Sequence, residues 1–322
     1  MDNATAGQIK GKLGKLFKAH GRNLGCLNPD CNSKNPIGSH SVSRYFLNEI
    51  AEHGHVYIFD RNIDDVAANT GASEPLSKAS KFRGFCKSCD NKLFEPFEKH
   101  PIQLTNDHLF RISFRSVAKE YHTKKSILDF YKKELPPEHL RSLHVQQEYV
   151  RMQYIEKFFG QMSDALTEGS FQKLKSWAFI FDGPPTWLCS SLMMPDVLPS
   201  NRRVQIMNWQ PFTVDWIPYN GFLCCIISFL NSQSKKPKRF CQAFEALSAS
   251  KSCLAQLIMA LDNIENIFFK PSFIDSLTAF EKRYIYDLFF AFAESSEVVR
   301  YPNFLKFPHF KFLPKLKEII KI

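Results

Sequence analysis

Four cysteines fall in two close pairs, Cys26-Leu-Asn-Pro-Asp-Cys31 and Cys86-Lys-Ser-Cys89. Thiolates two to four residues apart can wrap one tetrahedral ion, because a short turn brings both sulfurs to the same side of the backbone. Cys26, Cys31, Cys86 and Cys89 therefore read as ligands of one structural Zn2+. The 54 residues between Cys31 and Cys86 exceed the gap of a compact zinc ribbon, so the site must tie two distant segments together. Between the pairs stands Ser39-His40-Ser41, and directly after the last cysteine comes Asp90-Asn91-Lys92-Leu93-Phe94-Glu95. An imidazole that titrates near neutrality can take a proton from water. Carboxylate and amide oxygens can hold a hard divalent cation. His40 has three readings at this point: a general base, a locally hydrogen-bonded side chain, or a zinc ligand in place of a cysteine. Cys189, Cys224, Cys225, Cys241 and Cys253 sit in apolar or helical contexts and read as small buried hydrophobes.

The elements that would position these residues follow from the pattern. Residues 43–52 read as a helix capped by Ser43, and 55–59 as a strand. The polar stretch 60–80 reads as a surface loop, and Gly84 suits a tight turn into the second cysteine pair. A helix starts near Cys89 and runs to about His100, interrupted at Pro96. A long helix covers 107–135 and ends at Pro136-Pro137, and one or two more cover 138–176. Strands follow at 178–181, 187–194, 204–209 and 221–230, with a basic turn at 234–239 and helices over 241–261 and 278–293. This gives an α+β chain in three parts: a zinc-binding unit at 1–105, a helical connector at 106–176 and a mixed α+β domain at 177–322.

Composition narrows the partners. The formal net charge is +10, which favours a polyanion such as nucleic acid. Lys10, Lys12 and Lys15 near the start, Arg111 and Arg115 in the long helix, and Lys235, Lys236, Lys238 and Arg239 further on are the candidate phosphate contacts. No run reaches the roughly 18 apolar residues of a membrane span, and the Lys-rich start lacks an apolar leader. The expectation is a cytoplasmic protein with thiols rather than disulfides and no membrane partner.

Two cysteine pairs with a histidine after the first and an Asp-Asn…Glu set after the second resemble the HNH, or His-Me finger, endonucleases, in their treble-clef branch with a four-cysteine zinc. The segment Gly84-Phe85-Cys86-x-x-Cys89-Asp90-x-x-Leu93-Phe94-x-Pro96-x-Glu98 is also similar to a motif of bacterial proteins with an HNH-like N-terminus, and Asp262-Asn263-Ile264-Glu265-Asn266-Ile267-Phe268-Phe269-Lys270-Pro271 is similar to a second segment of the same group. The resemblance implies a ββα-metal unit with a purely structural zinc. It implies His40 as general base on water, and Asp90, with Asn91 or Glu95, as ligands of a catalytic Mg2+ or Mn2+. This chain differs from the pattern in three places: Ser39 stands where an acid usually precedes the histidine, the first pair is C-x4-C, and a long insertion follows residue 43. The implied function is metal-dependent hydrolysis of nucleic acid, DNA before RNA, in defence against phage. The C-terminal part would then recognise substrate, trigger or a partner protein. The alternative is a non-catalytic zinc-finger subunit for nucleic-acid binding or assembly.

Overall fold

Two largely apolar strands, Leu174–Asp182 and Phe222–Leu230, send alternate side chains to opposite faces of one sheet. Ala178, Ile180, Cys224 and Ile226 enter one core, while Phe179, Phe181, Cys225 and Ile227 enter another. A strand covered on both faces has no solvent side, so its sequence does not alternate. The computed structural model describes residues 24–59, 71–194, 210–264, 266–294 and 313–322. Lys10, Lys12, Lys15 and the strand expected at 204–209 lie outside the described residues.

In chain order the elements are β1 (Ser39–His40), α1 (Arg44–Asn48), β2 (His55–Ile58), β3 (Ala72–Pro75), β4 (Lys81–Phe82), α2 (Lys87–Glu98), α3 (Asn106–Glu134), α4 (Pro137–Leu140) and α5 (Leu143–Glu168). Then come β5 (Leu174–Asp182), β6 (Trp187–Met193), β7 (Phe212–Tyr219), β8 (Phe222–Leu230), α6 (Lys235–Glu245), α7 (Ala249–Asn263), β9 (Ile267–Phe269), α8 (Pro271–Ser276), α9 (Ala279–Glu294) and β10 (Lys315–Lys321). The chain is thus mixed helix and sheet, as the α+β reading expects. Eight strands form one antiparallel sheet in the order β10-β5-β8-β7-β6-β9-β2-β3, and β1 pairs with β4 in a separate two-stranded ribbon.

The sheet crosses the boundaries drawn at 105 and 177. Three-residue β9 lies between β6 and β2, with Phe268 opposite both Leu188 and Ile58, and Phe269 opposite both Trp187 and Tyr57. The core on one face joins Phe46, Phe85 and Phe94 of the N-terminal part to Phe114 of α3, Phe158 of α5 and Ile226 of β8. The core on the other face is closed by Phe240 of α6, Leu257 of α7, Phe273 of α8 and Ile285 of α9.

Capping explains where the long helices begin and end. Thr105 accepts a hydrogen bond from the His108 backbone N–H at 3.4 Å, Asp107 sits in the first turn of α3, and Lys132 and Lys133 sit in its last. Those charges complement the helix dipole. Helix α5 starts on a Ser142 cap and stops at Gly169, whose φ of 67° places it in the left-handed region that a glycine tolerates. Ser43 caps α1, accepting from the Tyr45 N–H at 3.1 Å.

Three sequence expectations need correction. Part of the expected loop 60–80 is β3, an edge strand that pairs with β2; an edge needs no apolar alternation, so its polar sequence hid it. The expected basic turn 234–239 is the first half of α6. Pro237 is its third residue, where the backbone has no N–H bond to lose. Pro96 does not interrupt α2, which runs through it to Glu98.

A polar seam fastens α3 to the sheet. The Ser116 hydroxyl lies 2.6 Å from Asp215 Oδ1 and 2.5 Å from the Ser190 hydroxyl, and Thr213 donates to Ser113 at 3.0 Å. With one proton per hydroxyl, Ser190 donates to Ser116 and Ser116 to the carboxylate. Asp215 is fully buried, and burial pushes its carboxyl up to about 6 against the opposing pull of Ser116, Ser190 and Thr213. Because the folded value exceeds the ordinary 3.8, this group favours the folded state at low pH and loses that contribution as pH rises from about 4 to 6. Asp215→Asn should therefore be more stable than the parent at pH 7.5, by up to about 3 kcal/mol, with the advantage shrinking toward pH 4. Urea unfolding of both proteins at the two pH values measures this; a variant less stable at pH 7.5 would refute it.

Candidate metal centre and the histidine beside it

The four expected cysteines converge. The sulfurs of Cys26, Cys31, Cys86 and Cys89 all lie within 4.8 Å of one another, and Cys31 Sγ is 3.8 Å from Cys86 Sγ. Tetrahedral zinc with bonds of about 2.3 Å sets its sulfurs about 3.8 Å apart, whereas a disulfide needs about 2 Å. The donor set is that of a metal site.

Local backbone builds it. Gly25, with φ at +72°, turns the chain into Cys26. The Cys26 N–H donates to the Ser33 carbonyl at 2.9 Å, and the Cys31 N–H to the Asn28 carbonyl at 3.0 Å, closing the first loop. Leu27 N–H reaches the Gly84 carbonyl at 2.7 Å, and Ile37 N–H the Phe85 carbonyl at 2.7 Å, clamping that loop to the second. Gly84 is needed for close approach rather than for a positive φ, since a Cβ there would lie 2.2 Å from the Phe82 ring. Cys86 then caps α2, and Cys89 sits in its first turn.

The sulfurs receive donors as thiolates do. Cys86 N–H points to Cys26 Sγ at 3.3 Å, Ser33 N–H to Cys31 Sγ at 3.5 Å, and Asn28 Nδ2 to Cys89 Sγ at 3.2 Å. The Cys89 backbone N–H leads the contacts that bring the Cys86 thiol down to about 7. Burial pushes Cys89 up to about 12 and also raises Cys26. Four thiolates this close would repel, and a divalent cation such as zinc could supply the missing charge. The other five cysteines are fully buried, and burial raises each thiol above its ordinary value. That fits their reading as core residues.

His40 stands on β1, directly across from Lys81 on β4. Burial lowers its pKa, assisted by the charges of Lys81 and Arg115 and opposed by Glu98 and a backbone bond at Leu76. The imidazole is thus neutral near pH 7. Its Nε2 is buried with no hydrogen-bond partner among the described residues, and His40 is not part of the four-sulfur cluster.

Asp90, one residue past Cys89, shares these neighbours. Burial raises its carboxyl pKa, Arg115 and the Ser39 hydroxyl lower it, and Glu98 raises it again. The Ser39 hydroxyl lies close enough to steady the charge but makes no well-formed hydrogen bond with it, and Asp90 Oδ1 is buried without a partner. Asp90 therefore fits a cation ligand. Asn91 and Glu95 do not: Asn91 is exposed, and Glu95 turns outward to pair with Lys99. Helical spacing explains this, because five residues rotate Glu95 by about 140° from Asp90. Glu98 rather than Glu95 shares Asp90's surroundings. Among the described residues, no second group of three His, Cys, Asp or Glu ligand atoms converges.

The basic residues separate into two kinds. Arg115 is only 2% exposed. Its Nη1 lies 2.8 Å from Glu98 Oε1, and its guanidinium sits 3.7 Å over the Phe94 ring centre. Its place on the inner stripe of α3 removes it from the surface phosphate contacts. Arg111 is bound to Asp107 at 2.7 Å and to the Leu93 carbonyl at 3.2 Å, which leaves it a tie between α3 and α2. Lys235, Lys236, Lys238 and Arg239 lie on α6; Lys235, Lys238 and Arg239 are exposed, and Lys236 is half-buried with its backbone N–H donating to Gln210.

Asn266 and Ser272 tie the stretch around β9 to this unit. Asn266 Nδ2 donates to Ser41 Oγ at 2.6 Å, one residue from His40. Glu52 accepts from the Ser272 N–H at 2.7 Å and its hydroxyl at 2.5 Å, at the start of α8. Glu98 and Asn266 were not assigned roles from sequence. A count of eight residues, or about 80°, from Asp90 on a helix would have found Glu98; nothing local marks Asn266.

Purified protein should carry about one Zn2+ per chain. Cys86→Ser should lose it along with most of the cooperative thermal transition, since such an ion contributes on the order of 10 kcal/mol. Metal analysis beside a melting curve decides this; a variant with parental metal content and melting would sink the site. Comparison with known protein families, with curated proteins and with solved structures gives no match, so the functional reading rests on this geometry alone.

Proposed function

We propose that the chain hydrolyses phosphodiester bonds in nucleic acid, with DNA as the first substrate to test, through an HNH-like ββα unit held by a structural zinc. The observation that carries the reading is connectivity. The His40 strand pairs antiparallel with β4, and β4 leads through Gly84 into a helix that carries Cys89 and Asp90 in its first turn. Strand, strand and helix thus stand in the order of a ββα-metal unit, with α1, β2 and β3 inserted between the two strands.

In this reading His40 takes the proton of the attacking water. A neutral imidazole whose buried Nε2 has no partner among the described residues is free to take a proton from a water admitted beside it. Asp90 would hold Mg2+ or Mn2+, which when bound supplies a Lewis acid for the scissile phosphate. Lys81, opposite His40, adds to the effect of burial in lowering the imidazole pKa and brings positive charge where a phosphate would approach.

A second reading, a non-catalytic nucleic-acid-binding or assembly subunit, draws on one observation. Arg115 brings a fixed cation among His40, Asp90 and Glu98, and is paired with Glu98. A guanidinium there can balance the Asp90 charge without a metal.

Plasmid cleavage by purified protein, with and without Mg2+ or Mn2+, separates the two. The nuclease reading expects cleavage only with the cation, and a loss of at least about 100-fold in His40→Ala, the usual scale for a removed general base, at full zinc content and unchanged melting. No cleavage under either cation, or equal cleavage by His40→Ala, favours the binding subunit.

A further inference from the structure

A cleft of about 380 Å³ opens beside the β1–β4 ribbon. Three segments far apart in the sequence make it. The turn from β3 to β4 supplies Lys78, Ser80 and Lys81; α3 supplies Lys119 and Thr123; and the stretch leading into β9 supplies Asn266. Ser41, the neighbour of His40, forms part of the wall, and Lys81 is the cross-strand partner of His40.

The lining has the character of a phosphate site. Among the described residues, three lysines and one carboxylate, Glu74, line the cleft. Lys78 and Lys81 are exposed and make no ion pair among the described residues, while Lys119 pairs with Glu120 at 3.4 Å. Unpaired lysines gathered in a concave surface raise the local concentration of anions. The hydroxyls and the amide of the wall are spent on holding it together: Ser41 donates to the Ser80 carbonyl at 3.1 Å, Ser80 to the Val42 carbonyl at 2.8 Å, Thr123 to the Lys119 carbonyl at 2.9 Å and Asn266 to Ser41 at 2.6 Å, which leaves the lysines as the anion contacts. The aromatic residues of the lining, Phe59, Phe82 and Phe268, are each at most 9% exposed and belong to the cores, so no ring face is offered to a base. The volume suits about one nucleotide unit, and pockets of a few hundred Å³ bind ligands of that size.

We infer that this cleft binds the sugar-phosphate backbone of a nucleic-acid strand, without base recognition, and leads that strand past His40. The inference rests on the proposed function for its ligand. It adds the path of the strand, and it assigns a role to the insertion between β1 and β4, which carries Lys78 and part of the wall. Binding by charge with no stacking requires affinity that is indifferent to sequence and steeply dependent on salt.

The test uses the full chain carrying His40→Ala and no added divalent cation, so that binding is read apart from cleavage. Fluorescence anisotropy follows a labelled 20-nucleotide single-stranded DNA over a range of salt. Lys78→Ala/Lys81→Ala/Lys119→Ala should weaken binding by about tenfold or more and flatten the log–log salt slope by about 2 to 3. Lys235→Ala/Lys238→Ala/Arg239→Ala on α6 removes the same charge elsewhere and should do less. Two oligonucleotides of unrelated sequence should bind alike. Lys78→Ala/Lys81→Ala, both at exposed positions, replaces the triple variant if the latter melts early, with a slope change of about 1 to 2 expected. Parental binding and slope in the cleft variant, or a loss no greater than in the α6 variant, overturns the inference. So does binding of adenosine monophosphate with none of the oligonucleotide, since the cleft would then take a free nucleotide. A failure of cleavage with intact, lysine-dependent binding would remove the nuclease reading and leave the cleft standing.

Discussion

Four sulfurs within 4.8 Å of one another form a constraint that the N-terminal part cannot satisfy alone. As thiolates they would repel, and an ion of charge two held between them would relieve that repulsion. That closure joins the loop 26–31 to the start of α2, and two backbone bonds, Leu27 to Gly84 and Ile37 to Phe85, extend the join outward. The β1–β4 ribbon hangs from these contacts. The placement of His40 against Lys81 follows from this join, as does the position of Asp90 one residue beyond Cys89.

A second organising group is the guanidinium of Arg115. It is buried, lies over Phe94, pairs with Glu98, and its charge acts on both His40 and Asp90. Packing and electrostatics meet in this residue: the aromatic layer of Phe85, Phe94, Phe97 and Phe114 shields the charge from water, and the shielding lets it act over a distance. The same shielding raises the Asp90 carboxyl and lowers His40, because both lose water. The opposite directions of the two shifts have one cause.

What the sequence made legible were the features set by local rules. The cysteine spacing identified the four-sulfur cluster, the Ser43 cap and the apolar stripe of α3 lie where the pattern puts them, and largely apolar stretches marked β5, β6 and β8. Features set by distant partners stayed hidden. β9 is three residues long and owes its strand conformation to β6 on one side and β2 on the other. β10 alternates weakly and lies at the sheet edge beside β5. Arg115 reads as a surface charge until Glu98 and Phe94 are brought to it. Glu95 and Glu98 look alike as letters, and only the angle around α2 tells them apart.

The position of β9 has a consequence in time. Tyr57 pairs with Phe269, more than 200 positions later in the chain. At about 5 to 20 residues per second, the ribosome delivers that partner roughly 10 to 40 seconds after β2. During that interval the nascent chain has its cysteine pairs and its β2–β3 hairpin, but one long edge of the hairpin lacks its neighbour. Metal capture by the emerging chain would keep this edge attached to an ordered body while it waits. A metal held by the four cysteines would in this way serve synthesis as well as the finished molecule, by giving the waiting strand an ordered neighbour.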